Sequence, residues 1–163
     1  MTDSFERAGE YARIYDFLPY EQELVAIRRH LHRHPELAFA EHGTSDFIAA
    51  RLQEWGYEVT RGIGGTGLVG TLRLGEGTRS LGIRADMDAL PIQEASGSEY
   101  ASCVAGRMHA CGHDGHMTML LGAAKYLARH RRFSGSLHLI FQPAEERGFD
   151  SGGKAMVDEG LFE

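Results

Sequence analysis

With 163 residues, 42% of them hydrophobic and 25% charged, the chain has the make-up of a globular protein large enough for one core. A net charge of −6 provides no basic face for phosphate neutralisation, which argues against non-specific nucleic-acid binding, and no apolar run approaches the ~20 residues that cross a bilayer. Two cysteines, Cys103 and Cys111, are too few for a disulfide framework, and residues 1–17 hold no apolar stretch like that of a signal peptide, so a reducing, cytoplasmic setting is expected.

Residues 1–20 are weakly patterned and read as an N-terminal extension, with Pro19 near its end. Over residues 21–34, Leu24, Ile27 and Leu31 share one helical face, and Pro35 ends that helix. A second helix is expected from Thr44 or Ser45, either of which can cap it, through Ile48, Leu52 and Trp55 to a left-handed stop at Gly56. Strand-like patterns follow at residues 57–59, 68–74 and 80–84. The Gly62-Ile63-Gly64-Gly65-Thr66-Gly67 run fits G-x-G-x-x-G but precedes a strand instead of opening a helix, so it reads as a turn and not as a dinucleotide site. Residues 93–106 lack any period and form a long loop. The strongest helix spans residues 114–129, with Met117, Leu120, Leu121, Ala124 and Leu127 as its apolar stripe, and Arg129-His130-Arg131-Arg132 offsets its carbonyl end. A strand at 136–141 and a short helix at 151–159 complete an α/β alternation.

Three groups of chemistry-bearing residues fall at element ends. Asp86 and Asp88 follow one strand, Glu145 and Glu146 follow another, and Cys111 and His113 precede the strongest helix. In open α/β sheets the ligand crevice lies beyond the carboxyl ends of the strands, which brings these loops to one edge. Thiolate, imidazole and carboxylate together suit a borderline-soft divalent cation, and a second carboxylate can take a proton from the water such an ion activates. The helix end is expected to favour the Cys111 thiolate, with Gly112 allowing a sharp turn to His113. On extended backbone Glu145 and Glu146 point in opposite directions, so one is expected on a metal and the other on water. Asp86 and Asp88 can ligate, orient a histidine, or simply serve a turn before Pro91. His109 and His116 read as pocket-lining or hydrogen-bonding groups, and His30, His32 and His34 as a helix end.

The runs Arg29-His30-Leu31-His32-Arg33-His34-Pro35-Glu36, Arg84-Ala85-Asp86-Met87-Asp88-Ala89-Leu90-Pro91, Met108-His109-Ala110-Cys111-Gly112-His113-Asp114 and Gln142-Pro143-Ala144-Glu145-Glu146 occur in an order that resembles the metal-dependent aminoacylase and carboxypeptidase family, in the branch of hippurate hydrolases and indole-acetyl-amino-acid hydrolases. The resemblance implies a mixed central sheet flanked by helices, in a zinc-exopeptidase-like catalytic domain of which residues 21–163 are the N-terminal part. It implies that Cys111, His113 and Glu146 are ligands of a site for two divalent ions, zinc or manganese with cobalt also accommodated. Glu145 is then the general base, Asp88 the aspartate beside the metals, and Asp86 stands where other branches carry a histidine ligand. The implied reaction is hydrolysis of the amide of a small N-acyl amino acid, with Glu145 carrying the proton from water to the leaving amine. Family members continue through a further ligand histidine, a lid domain that usually dimerises and a final histidine, so this chain is expected to stop before the lid. Two alternatives stand beside this reading: a non-catalytic metal-binding fragment, and a metallo-exopeptidase acting on short peptides.

Overall fold

A computed structural model describes residues 13–163; residues 1–12, most of the expected N-terminal extension, lie outside that range. The elements in order are a 3-10 turn at Ile14–Tyr20, α1 (Glu21–Arg33), α2 (His42–Glu54), β1 (Glu58–Ile63), β2 (Gly67–Leu74), β3 (Ser80–Asp86), α3 (His113–His130), β4 (Gly135–Gln142), a second 3-10 turn at Glu145–Asp150 and α4 (Gly152–Asp158). The four strands form one mixed sheet in the order β1-β2-β4-β3, antiparallel from β1 through β4 and parallel between β3 and β4.

The apolar stripes explain the layering. Ile27 and Leu31 of α1, Ile48 and Leu52 of α2, and Met117 and Leu121 of α3 pack with Leu68, Leu139 and Phe141 of the sheet into the main core. The inner strands β2 and β4 are buried along most of their length, as strands covered on both faces must be. On the opposite face α4 places Met156 against Val69 and Ile140. Tyr57, just before β1, donates its hydroxyl to the Ala124 carbonyl at 2.9 Å and ties the sheet to α3.

Gly56 stops α2 in the left-handed region, as expected. The start of α2 differs from expectation: neither Thr44 nor Ser45 caps it. The helix begins at His42, and the Glu36 carboxylate accepts the Gly43 and Thr44 N–H groups at 3.0 and 2.7 Å. A carboxylate six or more residues upstream does the work of an N-cap, because the turn after α1 folds back over the helix end. Among the described residues, no helix is long and apolar enough to cross a membrane.

Candidate metal centre

Parallel pairing of β3 with β4 sets the site. Asp86 is opposite Gln142 at the last rung, and the Met87 N–H extends the ladder by donating to the Gln142 carbonyl at 2.9 Å. Both strands therefore release their chains at the same carboxyl edge, one into Asp88 and the other into Glu145 and Glu146. Loop residues 87–90 are then pinned on both sides. Ala89 N–H donates to the Glu36 carbonyl at 2.8 Å, and Leu90 exchanges backbone hydrogen bonds with Met108 at 3.0 Å. That second bridge delivers the Cys111 segment to the same edge.

Gly112 lies in the left-handed region at φ 88°, and this sharp turn separates Cys111 from the first residue of α3, His113. The His113 ring is buried, with Nδ1 2.8 Å from the Asp88 carbonyl oxygen. A carbonyl only accepts, so Nδ1 carries the proton and Nε2 is presented to the edge. Around Nε2 stand the Glu145 carboxylate at 3.7 Å and the Glu146 carboxylate at 3.9 Å, too far for hydrogen bonds. Ligand atoms of Cys111, His113 and Glu146 all lie within 4.8 Å of one another. Two nitrogen or oxygen ligands of a common zinc ion, each ~2.0–2.2 Å away, can be at most ~4.3 Å apart, and a thiolate at ~2.3 Å slightly more. The donor set and its spacing fit a divalent cation with little movement.

The glutamates depart from the expected extended geometry. Ala144 takes a left-handed conformation at φ 50°, and Glu145 opens a 3-10 turn, so the two carboxylates approach the same imidazole instead of diverging. Cys111 also departs from expectation. It is exposed, and hydrogen bonding to Glu146, with burial and the charges of Glu146, Glu145 and Asp86, raises its thiol above the usual range. Nearby carboxylates outweigh the helix end here, and a bound cation is what would reverse the balance.

Asp88 is buried, and burial opposes its ionisation most. The adjacent His113 ring and the Glu146 and Glu145 backbone N–H groups outweigh burial and hold its carboxyl below the usual range. The Glu146 N–H reaches Asp88 Oδ2 at 3.0 Å, whereas Asp88 Oδ1 has no hydrogen-bond partner among the described residues and stands 3.3 Å from His113 Nδ1. For His113, burial opposes protonation, and the neighbouring Asp88 and Asp86 raise the ring above its ordinary value despite it. Asp86 is buried at the strand end with the Arg84 guanidinium against Oδ1, and Oδ2 faces His116 Nδ1 at 3.6 Å.

Several residues that the sequence left in the background support this edge. Glu41 is fully buried and accepts from Thr66 Oγ1 at 2.5 Å and from the Ala144 N–H at 2.8 Å, which fixes the turn that presents Glu145. Burial raises its carboxyl above the ordinary range. His32, read as part of a helix end, is instead buried between Asp114 Oδ2 at 2.6 Å and Glu94 Oε1 at 3.2 Å, with Arg28 Nε 2.9 Å from the same Asp114 oxygen. Hydrogen bonding from Ser96, then Ser102 and His32, holds Glu94 down at about 2 against the opposing effect of burial. This network anchors the long loop to the first turn of α3, beside His113. Of the two roles read for His109, pocket lining or hydrogen bonding, the second is not seen: the ring is buried with no partner for either nitrogen among the described residues, and burial lowers it to about 4.

Comparison with known proteins places this arrangement in context. The profile of Peptidase family M20/M25/M40 matches residues 82–163. Hippurate hydrolase of Campylobacter jejuni is 51% identical over 150 residues, which cover 92% of this chain and 38% of that protein. IAA-amino acid hydrolase ILR1-like 2 of Arabidopsis thaliana is 51% identical over 140 residues, 85% of this chain and 31% of its own length. Among solved structures, the Bacillus subtilis YXEP protein, described as a dinuclear metal binding peptidase from the M20 family, superposes with a TM-score of 0.83 at 38% identity over 89% of this chain and 40% of its own. The chain thus spans 38% and 31% of the length of these two curated relatives.

Proposed function

The chain belongs to Peptidase family M20/M25/M40, and on that footing we propose that it forms the metal-holding edge of a hydrolase that cleaves the amide bond of N-acyl amino acids. The observation that carries the reading is the convergence of Cys111, His113 and Glu146 within 4.8 Å, with the Glu145 carboxylate 3.7 Å from the same His113 nitrogen. In this proposal Cys111, His113 and Glu146 hold a divalent ion; the thiolate favours zinc, and the mixed donor set also accommodates manganese or cobalt. A divalent ion bound there supplies Lewis acidity and makes water a nucleophile at neutral pH.

The chain's own residues do the rest. Asp88 fixes the tautomer of His113 through its backbone carbonyl and steadies Glu146 through its side chain. Glu145, its side chain 41% exposed, faces the open side of the edge, where it takes a proton from the attacking water and returns it to the leaving amine. The hippurate and IAA-amino acid hydrolases, similar over most of this chain, support a small N-acyl amino acid as substrate. A cytoplasmic setting, which keeps Cys103 and Cys111 as free thiols, belongs to the same proposal.

The test is to supply zinc, manganese or cobalt to the chain and to measure cleavage of benzoyl-glycine against a panel of dipeptides. Metal-dependent cleavage of the acyl amino acid that falls by about 100-fold or more in Glu145→Ala supports the assigned base. Undiminished turnover in that variant contradicts it, and preference for dipeptides points to exopeptidase action. Metal uptake without turnover supports a second reading, in keeping with the 38% of the hippurate hydrolase's length that the chain spans, in which these residues bind metal without catalysing.

A further inference from the structure

A groove of about 590 Å³ runs along α1, walled by the first 3-10 turn, the long loop and α3. None of the residues gathered at the metal edge lines it. Glu21, Leu24, Val25 and Arg28 are spaced i, i+3, i+4 and i+7, so they form one stripe of α1, and Arg29 flanks its end. That stripe is acidic at its start, apolar in its middle and basic at its end, over the ~10 Å that seven residues of helix span. Phe17 and Leu18 extend the apolar part. At the basic end the guanidinium carbons of Arg28 and Arg29 stand 5.5 and 5.1 Å from the centre of the Tyr100 ring. Arg28 Nε lies 2.9 Å from the buried Asp114 carboxylate, which fixes that group and compensates its charge. Arg29 has no carboxylate partner among the described residues, so this end of the groove keeps a positive charge although the whole chain carries −6.

We propose that this groove binds a free amphipathic monocarboxylate, an alkyl or aryl acid, with its carboxylate on Arg28 and Arg29 and its tail over Leu24 and Val25. A mostly apolar groove of this volume with a few convergent polar groups has the form of a small-molecule site. Two guanidinium groups can hold one carboxylate through charge-assisted hydrogen bonds, and their stacking on Tyr100 reduces the freedom lost when they do. A ligand lying the other way would bring its carboxylate to Glu21, so charge fixes the direction of binding. The exposed apolar rim, Leu18 at 58% and Val25 at 43%, falls far short of the ~800 Å² that each partner buries in a stable protein interface, which favours a small ligand over a second chain. Binding here requires neither a metal ion nor the reaction proposed above.

Octanoate and naphthoate, titrated by isothermal calorimetry into the full chain freed of metal by dialysis, test this. Saturable binding at millimolar concentration or below is expected. Octanamide and acetate should each bind at least tenfold more weakly than octanoate, because the first lacks the charge and the second the tail. Arg29→Gln and Val25→Asp, both at exposed positions, are each expected to weaken octanoate binding tenfold or more. Circular dichroism identifies a variant that fails to fold, and the octanamide and acetate comparisons decide the matter without any variant. Absence of saturation by both acids, octanamide affinity equal to that of octanoate, or full affinity in either folded variant overturns the inference. A dimer of the unaltered chain in sedimentation that Val25→Asp dissolves overturns it too, and assigns the groove to a second copy. These readouts involve neither metal uptake nor turnover, so their failure leaves the metal-edge reading standing.

Discussion

Two polar clusters lie within one helical turn of His113, and they are built on opposite principles. Behind α3, Asp114 is fully buried and its acceptors are taken by His32, Arg28 and the Gly115 N–H, while Glu94 closes the far side of His32. In front of it, Cys111, Glu145 and Glu146 reach solvent, and the two carboxylates stand 3.7 and 3.9 Å from His113 Nε2 without bonding to it. A buried network with every member satisfied holds backbone in place. A rim of carboxylates and a raised thiol is incomplete without positive charge between them. Scaffold and site differ in where their polar atoms are spent: the first pairs them with one another, and the second turns them toward a single imidazole nitrogen.

Breaking the rear network should have the largest effect. Asp114→Ala leaves the buried His32 and the half-buried Arg28 without their shared partner and should cost about 3–5 kcal/mol, measured by denaturant unfolding. A loss below about 1 kcal/mol would remove the contrast between the clusters. Next is the unpartnered His109, held by burial at about 4 against an ordinary 6.5. The unfolded chain then binds the proton more readily, so stability present above pH 6.5 is lost as pH falls toward 4, by about 3 kcal/mol for this group. His109→Leu should flatten that part of the pH–stability curve, and an unchanged slope between pH 6.5 and 4 would contradict the assignment.

Glu41→Ala removes the acceptor of Thr66 and Ala144 and should cost about 1–3 kcal/mol. Because it releases the turn before Glu145, it should also weaken zinc binding, which calorimetry would detect; unaltered affinity would uncouple Glu41 from the rim. The smallest effect belongs to the rim itself. Glu146→Gln should change metal-free stability by no more than about 0.5 kcal/mol, yet reduce the stabilisation by zinc, which for the unaltered chain is about 2.7 kcal/mol at one hundred times the dissociation constant. A large metal-free loss would show that Glu146 supports the fold.

The front cluster was legible in the sequence for a physical reason. Cys111, Gly112, His113, Glu145 and Glu146 are close in sequence within their motifs, and the alternation of helix and strand sends both motifs to one sheet edge. Strands β2, β3 and β4 and helix α3 were legible because their apolar periods are long and uninterrupted. The rear cluster was not. His32, Glu94 and Asp114 are separated by 62 and 82 residues from their partners, and no local pattern marks a buried contact of that range. Glu41 was hidden likewise, since a carboxylate in a loop reads as solvated until the turn it supports is known. The paired direction of Glu145 and Glu146 depended on the left-handed Ala144, a conformation that the residue type does not announce.

X-ray absorption at the zinc edge of the zinc-loaded chain tests the central claim most directly. One sulfur at ~2.3 Å together with nitrogen and oxygen neighbours at ~2.0–2.2 Å, with the sulfur lost in Cys111→Ser, is the predicted result. A shell of nitrogen and oxygen alone, or a sulfur that survives Cys111→Ser, would contradict a metal centre built on Cys111, His113 and Glu146.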